Sequence, residues 1–143
     1  MNSRDFLTLA QTLLADRFEA AWRSAVSRAY YAAFHVAREL LEDLRFTVPR
    51  GEQAHGYLWL RLSNCSDSQL KKTGASLNTL RQDRNGADYD LHRPLTQANA
   101  ARSVRAAEQL ILLLTGTTGP IRTQITDTMK VYERDVLRVV TWE

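Results

Sequence analysis

Apolar residues recur along this chain with the period of an α-helix, and no stretch alternates with period two for long enough to make a strand. The densest pattern is Ala20–Leu44, a stretch without Gly or Pro in which Ala, Leu, Arg and Glu dominate. At 100° per residue its apolar side chains, from Trp22 through Tyr30 and Phe34 to Leu44, sweep an arc of roughly 200°. That is twice the width of about 100° expected of a surface helix. The spacing predicts a central helix touched by neighbours on several sides. Its polar arc holds Ser24, Ser27, Arg28, Tyr31, His35, Arg38, Glu39 and Glu42, which places Arg, Tyr and His one turn apart.

The rest of the chain is arranged around that element. Ser3 suits the cap of a first helix whose line is Phe6, Leu7, Leu9, Ala10, Leu13 and Leu14, ending near Asp16. Pro49 and Gly51 break the chain before a shorter helix from Glu52 to Leu62. Ser66 or Asp67 can cap the next helix, read over Ser68–Asn85, with Leu70, Thr73, Leu77 and Leu80 on its apolar line and Asn85-Gly86 as its end. After a connection over Ala87–Leu95, Thr96 caps a helix from Gln97 to Thr115. Gly116–Gly119 interrupts it. Pro120 opens a last helix whose stripe runs Ile121, Ile125, Met129, Tyr132, Val136 and then Val139 or Val140.

The expected architecture is all-α. It is an up-and-down bundle of four main helices over residues 1–116, with one short helix, plus an extra C-terminal helix over residues 117–143 that packs on the bundle or on a partner subunit. A length of 143 residues suits one such bundle, and a hydrophobic content of 44% is enough for a real core. The net charge of +3 is compatible with a nucleic-acid partner without requiring one. One cysteine, Cys65, allows no disulfide within the chain. With no signal-peptide pattern and no apolar run long enough to span a bilayer, the expectation is a soluble cytoplasmic protein away from membranes.

Candidate chemistry narrows to one line of residues. Continuing the period of the Ser68–Asn85 helix beyond Leu80 brings Arg84 to the inward-facing stripe. An unpaired buried guanidinium is costly, so it needs a partner. Asp88 lies four residues on, and Arg28 and Tyr31 lie on the central helix. Arg84 with Asp88 reads either as a structural ion pair that anchors the helix end or as part of a cleft with Arg28, Tyr31, His35 and Tyr89. Lys71, Lys72 and Arg81 add a basic bias to the same helix, which reads equally as a solvated face. The three histidines, His35, His55 and His92, have no metal-ligand spacing, no phosphate-cradling glycine loop occurs, and Cys65 has no neighbouring base. No metal and no cofactor are expected.

The run Ser27-Arg28-Ala29-Tyr30-Tyr31-Ala32-Ala33-Phe34-His35 resembles the HEPN superfamily motif. Ala54-His55-Gly56 is similar to the start of that family's short middle helix. Arg84-Asn85-Gly86-Ala87-Asp88-Tyr89-Asp90 is similar to its bacterial R-x-x-A-D-Y segment. The resemblance covers about residues 5–115. It implies a small helical bundle acting as a homodimer in a toxin–antitoxin-like system, paired with a nucleotidyltransferase antitoxin and acting on RNA or nucleotide. In many members it implies metal-independent RNase activity from an Arg, then four to six intervening residues, then a His. A histidine can move the proton of a ribose 2′-hydroxyl, and an arginine can hold the phosphate.

This chain departs from that spacing, because seven residues separate Arg84 from His92, and Asp88 and Tyr89 stand where the histidine would be. Three readings follow. The first is a module that binds RNA or nucleotide, or pairs with a nucleotidyltransferase, without cleaving. The second is an RNase using Arg84 with His92, Tyr89 or Asp88. The third is a non-catalytic helical protein that dimerises through the polar face of the central helix.

Overall fold

The computed structural model describes residues 1–142. Among them are six α-helices: α1 (Asp5–Leu14), α2 (Glu19–Asp43), α3 (Gln53–Ser63), α4 (Ser68–Tyr89), α5 (Gln97–Thr115) and α6 (Gly119–Tyr132), the last followed by a π-helical turn, Glu133–Leu137. No strand forms among the described residues beyond an isolated bridge between Phe46 and Trp142. The chain is all-α, as its periodicity requires.

Helix α2 is the centre. It packs against α1, α3, α4 and α5, while α4 and α1 also close onto α5 to complete a four-helix bundle. Its alanines make this possible. Ala25, Ala29, Ala32, Ala33 and Ala37 are fully buried, so neighbouring helices approach its backbone closely, while Tyr30, Leu40 and Leu41 fill the remaining space. Ser27 belongs to this buried set, not to the polar arc, because α4 crosses there.

Helix α3 meets α4 at Gly74, where a methyl group would collide with the backbone of Ser63. Asp67, not Ser66, caps α4 by accepting the N–H groups of Gln69 and Leu70, both at 3.0 Å. Thr96 and Asn99 form a reciprocal capping box on α5.

Three boundaries differ from the sequence expectation. Ser3 does not cap α1; it is buried and donates to Glu39 Oε2 at 3.2 Å. Helix α4 runs through Asn85-Gly86 to Tyr89. A helical glycine costs about 1 kcal/mol relative to alanine, and here a distant side chain offsets it. Arg23 of α2 donates to the carbonyls of Gly86 and Ala87 at 3.3 and 2.9 Å, so the exposed end of the helix is capped from outside. Ala87 then buries against Val26 and Ala100.

The third difference is at the C-terminus. The stripe of α6 holds through Ile125 and Met129, both fully buried in the main core, but Val136, Val139 and Val140 are exposed. The helix opens into the π turn, Arg138 adopts the left-handed region at φ 55°, and the chain hooks back so that Thr47 N–H donates to the Thr141 carbonyl at 2.7 Å. A buried ion pair decides this. Glu133 is fully buried, and Arg61 of α3 donates to its Oε2 at 2.6 Å. Thr141 adds its backbone N–H at 2.9 Å and its hydroxyl at 2.6 Å to the same carboxylate. A buried carboxylate needs that many donors, and a continued α-helix would not bring Thr141 back to supply them.

Candidate binding cluster at the α2–α4 crossing

Arg84 and Tyr31 meet because α4 crosses α2 with its inward stripe facing the polar end of the α2 arc. Arg84 is 9% exposed. Its Nη2 donates to the Tyr31 hydroxyl at 2.5 Å, and its Nη1 donates to Asn85 Oδ1 at 2.7 Å. Its Nε stands 3.2 Å from Asp88 Oδ2, an ionic contact one helical turn away. The geometry of that contact is not that of an aligned hydrogen bond, so Nε remains a buried donor without an acceptor. Asp88 is shared across the crossing, since Ser27 Oγ donates to the same Oδ2 at 3.2 Å. The extension of α4 past Gly86 is what puts Asp88 in register with Arg84. The expected break there would have lost the pair.

A second guanidinium converges on the same ring. Arg28 lies 5.1 Å from the Tyr31 centroid and 5.2 Å from that of Phe6, and Arg84 also lies 5.1 Å from the Tyr31 centroid. Arg28 additionally donates to Ser27 Oγ at 3.3 Å. The exposed ring of Tyr89 has its centroid 5.8 Å from the Arg84 guanidinium. The cluster therefore holds two cations, one carboxylate and several aromatic faces, a composition that suits phosphate and base.

The histidines are distributed differently. His35, half-buried, stacks on Phe6 with centroids 5.6 Å apart and sits 6.4 Å from the Tyr31 ring. Burial, reinforced by Arg38, holds its imidazole below the ordinary value of 6.5. His55 is buried behind the cluster, with Nδ1 bonded to the Tyr30 hydroxyl and its ring stacked on Tyr30. Burial first and then Arg81 depress it in the same direction. His92 lies exposed in the turn after α4, and no hydrogen bond or ion pair among the described residues joins it to Arg84.

Arg28, Tyr31, Arg84, Asp88 and Tyr89 are thus together, His35 is at the edge, and His92 is on the following turn. Phe6, Ser27 and Asn85 complete the cluster and were not legible as site residues. Phe6 read as core of α1, Ser27 as a wet polar position, and Asn85 as a turn. Their role comes from which helices cross, for which sequence carries no local signal.

Cys65 is buried, and desolvation raises its thiol, which leaves it a poor nucleophile. Among the described residues no group of His, Cys, Asp and Glu is arranged to hold a metal ion, and no helix is long and apolar enough to cross a membrane.

Compared with curated proteins and with solved structures, the chain has no significant match. The family model of the HEPN domain matches residues 2–116, which spans α1 to the end of α5 and takes in the whole Tyr31 cluster. The chain therefore belongs to the HEPN domain family.

Proposed function

We propose that the Tyr31 cluster is a phosphate-contacting surface of an RNA- or nucleotide-interacting HEPN module that binds without cleaving. The observation that carries this reading is the convergence of Arg28 and Arg84 on one tyrosine ring, with Arg84 fixed from two sides by Tyr31 and Asp88. A guanidinium held in place loses little freedom on gripping a phosphate. An adjacent exposed ring such as Tyr89 offers a face for a base. The absence of a histidine at the RNase spacing favours binding over cleavage.

The module's setting is proposed from its family resemblance: a cytoplasmic toxin–antitoxin-like system in which the chain forms a homodimer and pairs with a small nucleotidyltransferase. Light scattering at micromolar concentration should give twice the chain mass, and a monomer there removes the dimer from this reading. Co-expression with a nucleotidyltransferase encoded beside it should yield a complex that survives size exclusion.

Incubation of the purified protein with transfer and messenger RNA in EDTA tests the binding reading. The expected result is a mobility shift with intact RNA, weakening steeply as salt rises. Arg28→Gln should lower affinity and reduce the salt slope by about one. Cleavage abolished by both Arg84→Ala and His92→Ala would replace this reading with a metal-independent endoribonuclease. RNA that neither shifts nor breaks, together with a stable dimer, would leave a helical dimerisation protein.

A further inference from the structure

A second face of α4 lines a cleft that has no part in the Tyr31 cluster. Asp83 and Arg84 are adjacent in sequence and so point about 100° apart on the helix. The cleft, about 720 Å³, lies between α4 and α5, with Arg23 and Val26 of α2 also lining it and Arg93–Leu95 closing one end. Space exists because the walls are built of small residues, among them Ala75, Ser76, Gly86 and Ser103.

The closing loop is held in place. Arg23 donates to the carbonyls of Gly86, Ala87, Asp90 and Arg93, and Glu19 accepts the N–H of Leu95 at 2.7 Å while pairing with Arg23 at 3.0 Å. The cavity is therefore preformed, which spares a ligand the cost of ordering it.

Its charge is unbalanced. Arg93 and Arg102 both line the cleft, and neither side chain has a hydrogen bond or ion pair among the described residues. Asp83, the acidic lining residue, already accepts from the buried Ser103 through Oδ2 at 3.2 Å and keeps Oδ1 open. Val26, Leu80, Leu95 and Ala106 present an apolar floor. Ligand clefts typically run about 300–1,000 Å³ and combine an apolar lining with a few placed polar groups. A bare phosphate would leave most of this one empty.

We propose that the α4–α5 cleft binds a small organic phosphate. Arg93 and Arg102 take the phosphate, the apolar floor takes a flat body, and Asp83 Oδ1 is free to accept a donor where the ligand carries one. The site stands independently of the Tyr31 reading.

The test is an NMR titration of the ¹⁵N-labelled full chain with 1-naphthyl phosphate, with inorganic phosphate and 1-naphthol as separate arms. The expected result is saturating shifts at Val26, Asp83, Arg93, Asn99 and Ser103 with the naphthyl phosphate alone. The Arg93→Gln, Arg102→Gln double variant should bind at least tenfold more weakly, with the amide pattern around Tyr31 unchanged as evidence of an intact fold. Shifts that fail to saturate, that centre on Tyr31 and Arg84, or that persist at equal affinity in the double variant would overturn the proposal. Equal saturation by inorganic phosphate or by 1-naphthol alone would overturn it too, since the first needs no body and the second no anion.

Discussion

The Tyr31 hydroxyl accepts a hydrogen bond from the Arg84 guanidinium, and the two residues are 53 positions apart in the chain. This contact joins α2 to α4 at the most polar point of their crossing. Breaking it should be felt in stability. A hydrogen bond to a charged group contributes about 1.5–3 kcal/mol, so Arg84→Leu, which keeps the apolar stem, should cost about that much. Tyr31→Phe should cost about 1 kcal/mol, since the ring and its cation contacts remain. Urea unfolding of the two single variants and the double variant checks this. Additive losses would mean the two side chains are not coupled.

Gly74→Ala should destabilise the fold, although alanine is the better helix former. In an exposed helix the change would gain about 1 kcal/mol. Here the added methyl meets the Ser63 backbone, which cannot swing away as a side-chain tip would. Overpacking of this kind costs about 1–3 kcal/mol, so a lowered thermal midpoint is expected. A raised midpoint would mean that α3 and α4 are free to part.

The hook at the C-terminus depends on Glu133. Removing one member of a buried ion pair typically costs about 3–5 kcal/mol. Glu133→Ala should therefore be severe, stranding Arg61 and releasing Thr141 from its carboxylate. Replacing both members, as Arg61→Met with Glu133→Leu, should recover a large part of the loss. Chemical unfolding measures the difference, and hydrogen exchange at the Thr141 amide reports the hook directly. Equal stability of Glu133→Ala and the unmodified chain would show that the pair does not hold the segment.

Acid should weaken the fold before the carboxylates titrate. Burial holds His35 and His55 below 6.5 in the folded chain, so the unfolded chain binds protons more readily. Stability then rises with pH where only the unfolded form is protonated. It is fully present above the unfolded value and is lost as pH falls below it toward the folded value. The urea midpoint at about pH 5 should lie below that at about pH 7.5. His35→Gln should remove part of the difference, and an unchanged pH dependence in that variant would place the effect elsewhere.

How much of this was legible in the chain differs by level. The helices of the bundle were readable because a 3.6-residue period repeats within each one and Thr96 announces its helix by local capping chemistry. The HEPN identity was readable because Ser27–His35 and Arg84–Asp90 are contiguous strings. The place of Arg84 on the buried line also followed from periodicity alone, as a guanidinium where a leucine would continue the pattern.

What only the tertiary structure decided were the features made by residues far apart. Arg23 carries α4 past Gly86 by capping its carbonyls from another helix, and a sequence window over 84–90 holds no sign of that. Arg61 and Glu133, 72 positions apart in the chain, pair to turn the C-terminus back where the stripe alone pointed straight on. Ser27 and Phe6 join the Tyr31 cluster only because particular helices cross there. Period and capping are local properties of a chain, but the partner of a buried charge is chosen by packing.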